Sequence, residues 1–184
     1  MTRNDLFDAI RPFAPDRRFL DSHVQVIDAL ADAFGLPHPG DGALVPALAL
    51  IKEFEGCVLE AYPDPGTGND PWTIGWGATG AGIAKGVRWT QAQADARLAE
   101  DVAKFMSAVV KAAPVATDKQ RGAMTSLAYN IGIKAFQDST LLKLHNSGNY
   151  AAAADQFRRW NKAGGRVLAG LTRRRAAEAK VYRS

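Results

Sequence analysis

The chain has 184 residues, of which 47% are hydrophobic and 23% charged, and its formal net charge is +4. This composition is that of an ordinary globular protein, which excludes wholesale disorder and coiled-coil or collagen-like architectures. The length suffices for one well-buried core, or for a domain of about 140 residues with a small helical appendage. One cysteine, Cys57, excludes an intramolecular disulfide, and three scattered histidines suggest no metal site. We expect no metal or other cofactor.

The sequence pattern predicts neither a signal peptide nor a membrane-spanning helix. The N-terminal stretch MTRNDLFDAIRPF mixes acids, bases and a proline, where a signal peptide needs a continuous apolar run. The longest apolar run, residues 43–51, is about half of the roughly 20 residues that a bilayer-spanning helix needs. We expect no signal peptide and no transmembrane segment, and hence accumulation in the cytoplasm of the producing cell.

The positive charge is concentrated near the C-terminus. Residues 157–184 contain nine Lys or Arg and one acid, Glu178, which gives this segment +8 and leaves residues 1–156 at −4. Such a segment is either a solvated helix face or a surface attracted to an anionic polymer, such as nucleic acid or a bacterial envelope. Aromatic residues are sparse there, so we expect no nucleic-acid partner and name an anionic envelope polymer as the alternative. We expect a monomer.

The first predicted elements are two helices in an N-terminal segment. Hydrophobic residues recur at helical spacing over residues 4–13 and 20–35. The sequence GLPHPGDG that follows is rich in helix-breaking residues. We therefore predict a helical segment over residues 1–41 and a main domain over residues 42–184.

In the main domain, the pattern predicts one small β-hairpin region followed by several helices. A helix is predicted over 44–62, and turns with short strands over 63–88. Thr90 is the predicted N-cap of a helix that extends to residue 110. The remaining helices are predicted over 117–130, 135–146, 150–161 and 168–182, separated by Gly132, Gly148 and Gly164-Gly165. The expected fold class is α+β with helices predominating, a small hairpin region beside a helical bundle.

Two carboxylates and a hydroxyl lie close together within FEGCVLEAYPDPGTGNDPWTIGWG, residues 54–77. Glu55 interrupts an otherwise apolar stripe of the predicted helix. A carboxyl group held against apolar neighbours loses hydration of its charged form, which suits such a group to donate a proton near neutral pH. Asp64 lies between two prolines, whose fixed φ angles stiffen its backbone.

Thr73 completes this group of residues. Alternation along a strand places Trp72, Ile74 and Trp76 on one face, and Thr73 with two glycines on the other. A hydroxyl flanked by glycines allows a ligand to approach and hydrogen-bonds a water. Each residue alone has an ordinary structural explanation. Together they supply an acid for a leaving oxygen and a base for water, as glycoside hydrolysis requires.

This stretch resembles the catalytic core of the phage-type lysozymes, glycoside hydrolase family 24, which read approximately F-E-G-x-x-L-x-A-Y-x-D and then W-T-I-G-Y-G. Downstream, LAYNIGIKAFQDSTLLKLHNSGNYAAAADQFRRWNKAGGRVLAGLTRRRAAE is similar to the family's F-N-x-G, F-x-x-S-T-L, W-x-x-A-G-G and G-L-x-x-R-R-x-x-E elements, in order. The resemblance covers about residues 44–182 and implies a lysozyme-like fold.

The resemblance also implies an activity and a set of site residues. It implies cleavage of the β-1,4 bond between N-acetylmuramic acid and N-acetylglucosamine in peptidoglycan, with inversion at the anomeric carbon. Glu55 would protonate the glycosidic oxygen, while Asp64 and Thr73 hold the attacking water. Tyr129 and Thr140 match motif positions that would line the saccharide cleft. Arg174 and Arg175 match the R-R pair, and would reach the cleft, form a structural ion pair or lie on an exposed helix face.

The sequence departs from the family pattern at two places. Eight residues separate Asp64 from Thr73 where five are commoner, so Asp70 is an alternative to Asp64, which we favour because its spacing from Glu55 is intact. Ala78 stands where the family often has histidine.

Two other functions and one open assignment stay as alternatives. A lytic transglycosylase would cleave the same bond with one glutamate, and a wall-binding protein would keep the scaffold without catalysis.

Residues 1–41 would cap the hydrophobic surface of the main domain, or bind wall polymer or another protein. Without a signal peptide, release to the periplasm or cell wall would depend on a separate membrane lesion.

Overall fold

The computed structural model describes residues 3–13, 26–27, 30, 33–34, 41–63 and 70–184. The chain divides into two compact units, Met1–Gly42 and Ala43–Ser184. In the first unit, helix α1 (Arg3–Ile10) continues into a 3-10 turn over Arg11–Phe13, where a helix was predicted. The other predicted helix of this unit, over 20–35, lies mostly outside the described residues.

The second unit contains a small antiparallel sheet and a larger set of helices. Helix α2 (Asp41–Phe54) leads into it, and strands β1 (Val58–Pro63) and β2 (Trp72–Gly75) follow. The described helices after the sheet are α3 (Gln91–Ala112), α4 (Asp118–Ile131), α5 (Ile133–Gln137), α6 (Thr140–Asn146), α7 (Tyr150–Gln156) and α8 (Ala169–Arg183). A 3-10 turn over Phe157–Trp160 and a short hairpin, β3 (Lys162–Ala163) with β4 (Arg166–Val167), connect α7 to α8. The predicted fold class, α+β with helices predominating, is confirmed.

The predicted helix over 44–62 is wrong in its second half. The helix ends at Phe54, and β1 begins at Val58. Pairing with β2 decides the conformation here, since Val58 lies opposite Gly75 and Tyr62 opposite Thr73. Val58 is 42% exposed and Tyr62 36% exposed, so neither belongs to a buried helix face. The apolar spacing was misleading because backbone pairing with a distant strand outweighs local periodicity.

Side-chain caps and glycines fix the ends of the later helices. Thr90 caps α3 and Thr117 caps α4, each in a reciprocal pair with a glutamine three residues later. Gly132 ends α4 with a φ of 90°, a conformation that favours glycine. The predicted helix over 135–146 is two helices, because the Ser139 hydroxyl accepts the Leu142 N–H and starts α6.

The core of this unit is built around α4. Ala123, Met124, Leu127 and Ala128 are fully buried, and α4 packs against both α3 and α8. Aromatic residues from the following elements complete the cluster, among them Phe136 and Phe157. No helix within the described residues combines the length and the apolar character needed to cross a bilayer.

Helices α2 and α4 approach closely at Gly122. A Cβ atom added there would lie 2.7 Å from Cγ of Pro46 and 3.0 Å from the carbonyl O of Ala43. Both atoms belong to rigid parts of α2, so neither moves away cheaply. A side chain at position 122 would push α2 away from the core, and α2 is the helix that leads to Glu55.

We predict that Gly122→Ala destabilises the protein by about 1–3 kcal/mol, because overpacking a filled contact strains the backbone. Urea denaturation with a fluorescence readout measures this change. Gly170→Ala is the matched control, since a Cβ at Gly170 meets nothing within 4 Å, and it should be neutral or slightly stabilising. Equal stabilities for the two variants would contradict the close approach.

A buried histidine lies between the later helices. His145 is 2% exposed, and its Nδ1 lies 2.6 Å from the hydroxyl of Tyr182. Its Nε2 is buried without a hydrogen-bond partner among the described residues. Burial, and then the positive charge of Arg121, lower the pKa of His145 below its ordinary value of 6.5. The lowered pKa favours the neutral form of this ring in the folded protein.

Because the unfolded chain binds this proton more readily than the folded chain does, stability should fall as the pH drops below about 6.5. The expected loss through this group is at most about 1.4 kcal/mol per pH unit. Unfolding free energies of the wild type and of His145→Gln, measured from pH 7.5 down to pH 5, test this. The wild type should lose more stability than the variant, and parallel curves would exclude the histidine as the cause.

Candidate active site

Glu55 lies directly after α2, at the point where the helix turns toward the sheet. Its backbone N–H still donates to the carbonyl O of Ile51, at 2.9 Å, so the position continues the helical geometry. The side chain is 31% exposed. It lines a cleft of about 480 Å³ whose other walls come from the turn after β2, from α3 and from α4.

Arg174, on α8, holds the Glu55 carboxylate. Its Nη1 donates to Oε1 of Glu55 at 2.6 Å, although 119 residues separate the two in the sequence. The Arg174 side chain is 4% exposed, so the cation is buried while the carboxylate faces the cleft. Of the alternatives left open for Arg174, the structure therefore gives contact with the cleft acid and not an exposed helix face.

Glu178 links Arg174 and Arg175, the two buried arginines of α8, at the base of the site. Its Oε1 accepts from Arg174 Nε at 3.3 Å, from Arg175 Nη2 at 3.2 Å and from the Ser126 hydroxyl at 2.7 Å. Asn130 Oδ1 accepts from the same Arg175 nitrogen at 3.1 Å. This network ties α8 to α4, and through Glu55 it ties both helices to the end of α2.

The network is almost completely removed from water. Glu178 is 0% exposed and Arg175 is 1% exposed. Burial raises the pKa of Glu178, an effect that Arg175 counters. Burial likewise lowers the pKa of Arg175 to about 10, which leaves this guanidinium charged at neutral pH. The other seven basic residues of the segment 157–184 are exposed, which agrees with both alternatives left open for this segment, whereas Arg174 and Arg175 are buried.

The remaining predicted catalytic residues belong to the sheet region. Thr73 is partly buried on β2, opposite Tyr62 of β1. Asp64 lies outside the described residues. Asp70, its alternative, is exposed just before β2.

Trp76 forms part of the cleft wall, which the sequence pattern did not predict. The predicted alternation over 72–77 stops at Gly75, whose φ is 64°. Trp72 and Ile74 consequently pack in one cluster with Ala61 and Ile83, whereas Trp76 packs against α2 and α3. A Cβ at position 75 would come within 3.2 Å of Trp89. The turn therefore requires glycine both for its conformation and for space.

Polar contacts fix the orientation of the Trp76 ring. Its Nε1–H donates to Oδ1 of Asp95 at 2.8 Å, and Lys52 Nζ lies 5.5 Å from the ring centroid. Lys52 also pairs with Asp95 at 3.0 Å. Hydrogen bonds from Lys52, Trp76 and Gln91 lower the pKa of Asp95. Nothing in the local sequence indicates these contacts, because they join α2, the β2 turn and α3.

A row of charged residues on α3 lines another side of the cleft. Asp101 accepts from Arg97 Nε at 2.8 Å and from Lys104 Nζ at 2.9 Å. Burial alone would raise the pKa of Asp101, but these two bonds outweigh it and lower the value. Arg97 Nη2 also donates to the carbonyl O of Thr79 at 3.2 Å. The loop beside Ala78 is thus tied to α3 by an arginine.

The two predicted substrate-binding residues lie at different places. Tyr129 lines the cleft with Glu55, and its hydroxyl lies 3.5 Å from the carbonyl O of Trp76. Burial, and then the negative charge of Glu55, raise the pKa of Tyr129. Thr140 instead lines a separate pocket of about 210 Å³ with Trp160. It is not among the described residues of the Glu55 cleft, so the structure does not bring Thr140 to the acid.

The cleft combines an open carboxyl group held by a buried cation with aromatic and charged walls. Such a site is suited to a long polar chain that enters from solvent and presents one oxygen to Glu55. A helical bundle with a small sheet beside this cleft is the arrangement of lysozyme-type glycoside hydrolases.

Comparison with known proteins agrees with this class. The family model of phage lysozyme matches residues 52–178. The endolysin of Bacillus phage PZA is 43% identical over 136 residues, which cover 73% of this chain and 52% of that protein. Among solved structures, the endolysin of the Escherichia coli phage FAHEc1 is 41% identical with a TM-score of 0.65, covering 74% of this chain and 90% of that one. The muramidase domain of SpmX from Asticaccaulis excentricus is 36% identical with a TM-score of 0.67, covering 75% and 95%.

The chain belongs to the phage lysozyme family, and the resemblance found in its sequence is confirmed. The matched region, residues 52–178, lies within the second unit of the chain. The chain spans about half the length of the first curated relatives that it matches.

We predict that Arg174→Met destabilises the protein by about 3–5 kcal/mol, because it leaves Glu178 buried beside a single cation. In a double-mutant cycle with Glu55→Gln, measured by urea denaturation, the coupling energy should be about 0.5–3 kcal/mol. Arg173→Met, on the exposed side of the same helix, is the control and should show no coupling. Additive effects of Arg174→Met and Glu55→Gln would contradict an energetically significant pair.

Proposed function

We propose that the protein is a peptidoglycan hydrolase, an N-acetylmuramidase that cleaves the β-1,4 bond between N-acetylmuramic acid and N-acetylglucosamine. The observation that carries this proposal is the Glu55 carboxyl group, open to a cleft and held at 2.6 Å by a buried arginine. Membership of the phage lysozyme family supports the same substrate class.

In the proposed reaction, Glu55 is the general acid. Its proton passes to the glycosidic oxygen as the bond to the anomeric carbon breaks, and the leaving sugar departs as an alcohol. The carboxylate that remains is stabilised by Arg174, whose hydrogen bond also fixes the orientation of the group. A donor that is itself 4% exposed moves little, so the acid is oriented before substrate arrives.

Water is the second reactant. We propose that Asp64 removes its proton and that Thr73 holds it by hydrogen bonding, so that it attacks the face of the sugar opposite the leaving group. This inverting mechanism needs about 6.5–9.5 Å between the two carboxyl groups, to leave room for the water. Asp64 as an anion would also stabilise the positive charge that develops on the sugar ring. Tyr129 and Trp76 would contact the glycan, since both line the cleft.

Two rival functions predict different products. A lytic transglycosylase would use Glu55 without a water and would release 1,6-anhydro sugars. A wall-binding protein would release no sugars. Mass spectrometry of the soluble products after digestion of purified peptidoglycan therefore separates the three possibilities.

We predict reducing-end N-acetylmuramic acid products from the wild type and none from Glu55→Gln. Glutamine keeps the volume and an acceptor for Arg174 but has no proton to donate at neutral pH. Thermal unfolding of the variant is the control for an intact fold. Anhydro products from the wild type would overturn the hydrolytic step, and no products from a folded wild type would overturn the activity.

The same mass-spectrometric assay decides whether Asp64 or Asp70 supplies the second carboxyl group. Asp64→Asn should abolish product formation while Asp70→Asn leaves it, and the reverse result would assign the role to Asp70. Thr73→Ser should retain activity that Thr73→Val loses, because serine keeps the hydroxyl and valine keeps only the shape.

We also propose where the protein acts. Its relatives are named endolysins of phages, which supports a role in bacterial lysis, with accumulation in the cytoplasm until release to the periplasm or wall. Residues 1–41, which the family model does not match, are proposed as an accessory segment. Comparing the wall binding and the stability of the full chain and of residues 42–184 tests this assignment.

A further inference from the structure

A second pocket, of about 300 Å³, lies between α7 and α8, away from Glu55. The two pockets share none of their described lining residues. Three arginines line the second pocket, Arg158, Arg175 and Arg183, together with a single acid, Asp155. The charged groups in its wall are therefore three guanidinium groups and one carboxylate.

The carboxylate of this wall, Asp155, already has an ion-pair partner. Asp155 Oδ1 accepts from Arg183 Nη2 at 2.7 Å. Arg158 is exposed and has no ion pair among the described residues. Arg175 is paired with Glu178 behind the wall, so Arg158 is the guanidinium group of the wall that has no carboxylate partner among the described residues.

Arg175 contributes a buried donor that lacks a partner. Its Nε lies 3.0 Å from Glu178 Oε2 and its Nη2 lies 3.2 Å from Glu178 Oε1, so one edge of the planar group faces that carboxylate. Nη1 belongs to the other edge, turned away from Glu178. This nitrogen is buried and makes no hydrogen bond to any described residue, in a side chain that is 1% exposed. Most buried donors in folded proteins have a partner, so Nη1 is a donor that an anion entering the pocket could use.

We propose that this pocket is a binding site for a phosphoryl group. Guanidinium groups present paired N–H donors that match the oxygens of phosphate. A phosphate ester carries about −1.5 to −2 charges at neutral pH, and it would give Arg158 the anionic partner that this residue lacks among the described residues. The volume is that of about ten water molecules at roughly 30 Å³ each, enough for a phosphate with part of its substituent.

Entry to the site depends on the exposed arginines. We expect the exposed side chain of Arg158 to move before an oxygen of the anion reaches the buried Nη1 of Arg175. Exposed side chains change rotamer within picoseconds to nanoseconds, so this motion does not limit binding. The phosphoryl group would then bridge Arg158 and Arg175, while Arg183 keeps its bond to Asp155.

This inference goes beyond the proposed hydrolase activity and does not depend on it. The group has two sources: a free phosphate compound, or the phosphodiester of an anionic envelope polymer. The latter would give the positive charge of the C-terminal segment a specific contact in place of a diffuse attraction.

Isothermal titration calorimetry at constant ionic strength tests the site, with inorganic phosphate and soluble poly(glycerol phosphate) as probes on the Glu55→Gln protein. We expect one phosphate per chain with a Kd of about 1 mM or tighter. Arg158→Gln should weaken binding about tenfold, since it removes one charge-assisted contact. Arg159→Gln is the matched control, because the neighbouring arginine is also exposed but lines the Thr140 pocket, and it should leave binding unchanged.

Some results of this titration would identify the source of the phosphoryl group, and others would overturn the proposed site. Binding of phosphate alone supports a free phosphate compound as the ligand, and tighter binding of the polymer supports the envelope source. Equal weakening by Arg158→Gln and Arg159→Gln would overturn the site in favour of general charge attraction. No heat of binding up to about 20 mM phosphate, a concentration well above the expected Kd, would also overturn it. Because the two arginines are exposed, both variants should fold, and thermal unfolding checks this.

Discussion

The geometry of the cleft depends on one buried carboxylate, Glu178, and the two arginines beside it. A charge with 0% exposure has lost its hydration and must be compensated by fixed partners. Those partners, Arg174 and Arg175, lie on the same turn of α8, and Ser126 adds a hydrogen bond from α4. Helix α8 therefore has little freedom to slide along α4. Since Arg174 also holds Glu55, the position of the acid is set by how α8 packs.

This arrangement favours orientation over stability. Removing several charges from water costs free energy that their mutual attraction repays only in part, and apolar residues would fill the same space at lower cost. What the charges supply is a set of directional contacts. Arg174 uses different nitrogens for Glu178 and for Glu55, and its flat group fixes the angle between them. The cleft acid is thus oriented by a donor that neither solvent nor a ligand displaces easily.

Much of the fold was predictable because its signals are local. Thr90 caps its helix through a residue three positions away, and Gly132 ends another through its own backbone conformation. The catalytic candidates were recognised from a short motif for the same reason. The predictions failed where distant contacts decide the structure. Pairing with β2 turned the end of the predicted helix into β1, and the hydrogen bond from Trp76 to Asp95 joins residues 19 positions apart.

The ion pair between Glu55 and Arg174 spans 119 residues of the chain. A ribosome makes the N-terminal partner long before the C-terminal one, so the growing polypeptide contains the acid for most of its synthesis without the cation that orients it. Contacts between residues so distant in sequence form late, because the long loop between them must close first. The cleft is therefore assembled only when α8 has been made and has packed onto α4. Until then, the cell that makes this protein holds a chain whose acid is present but not yet positioned.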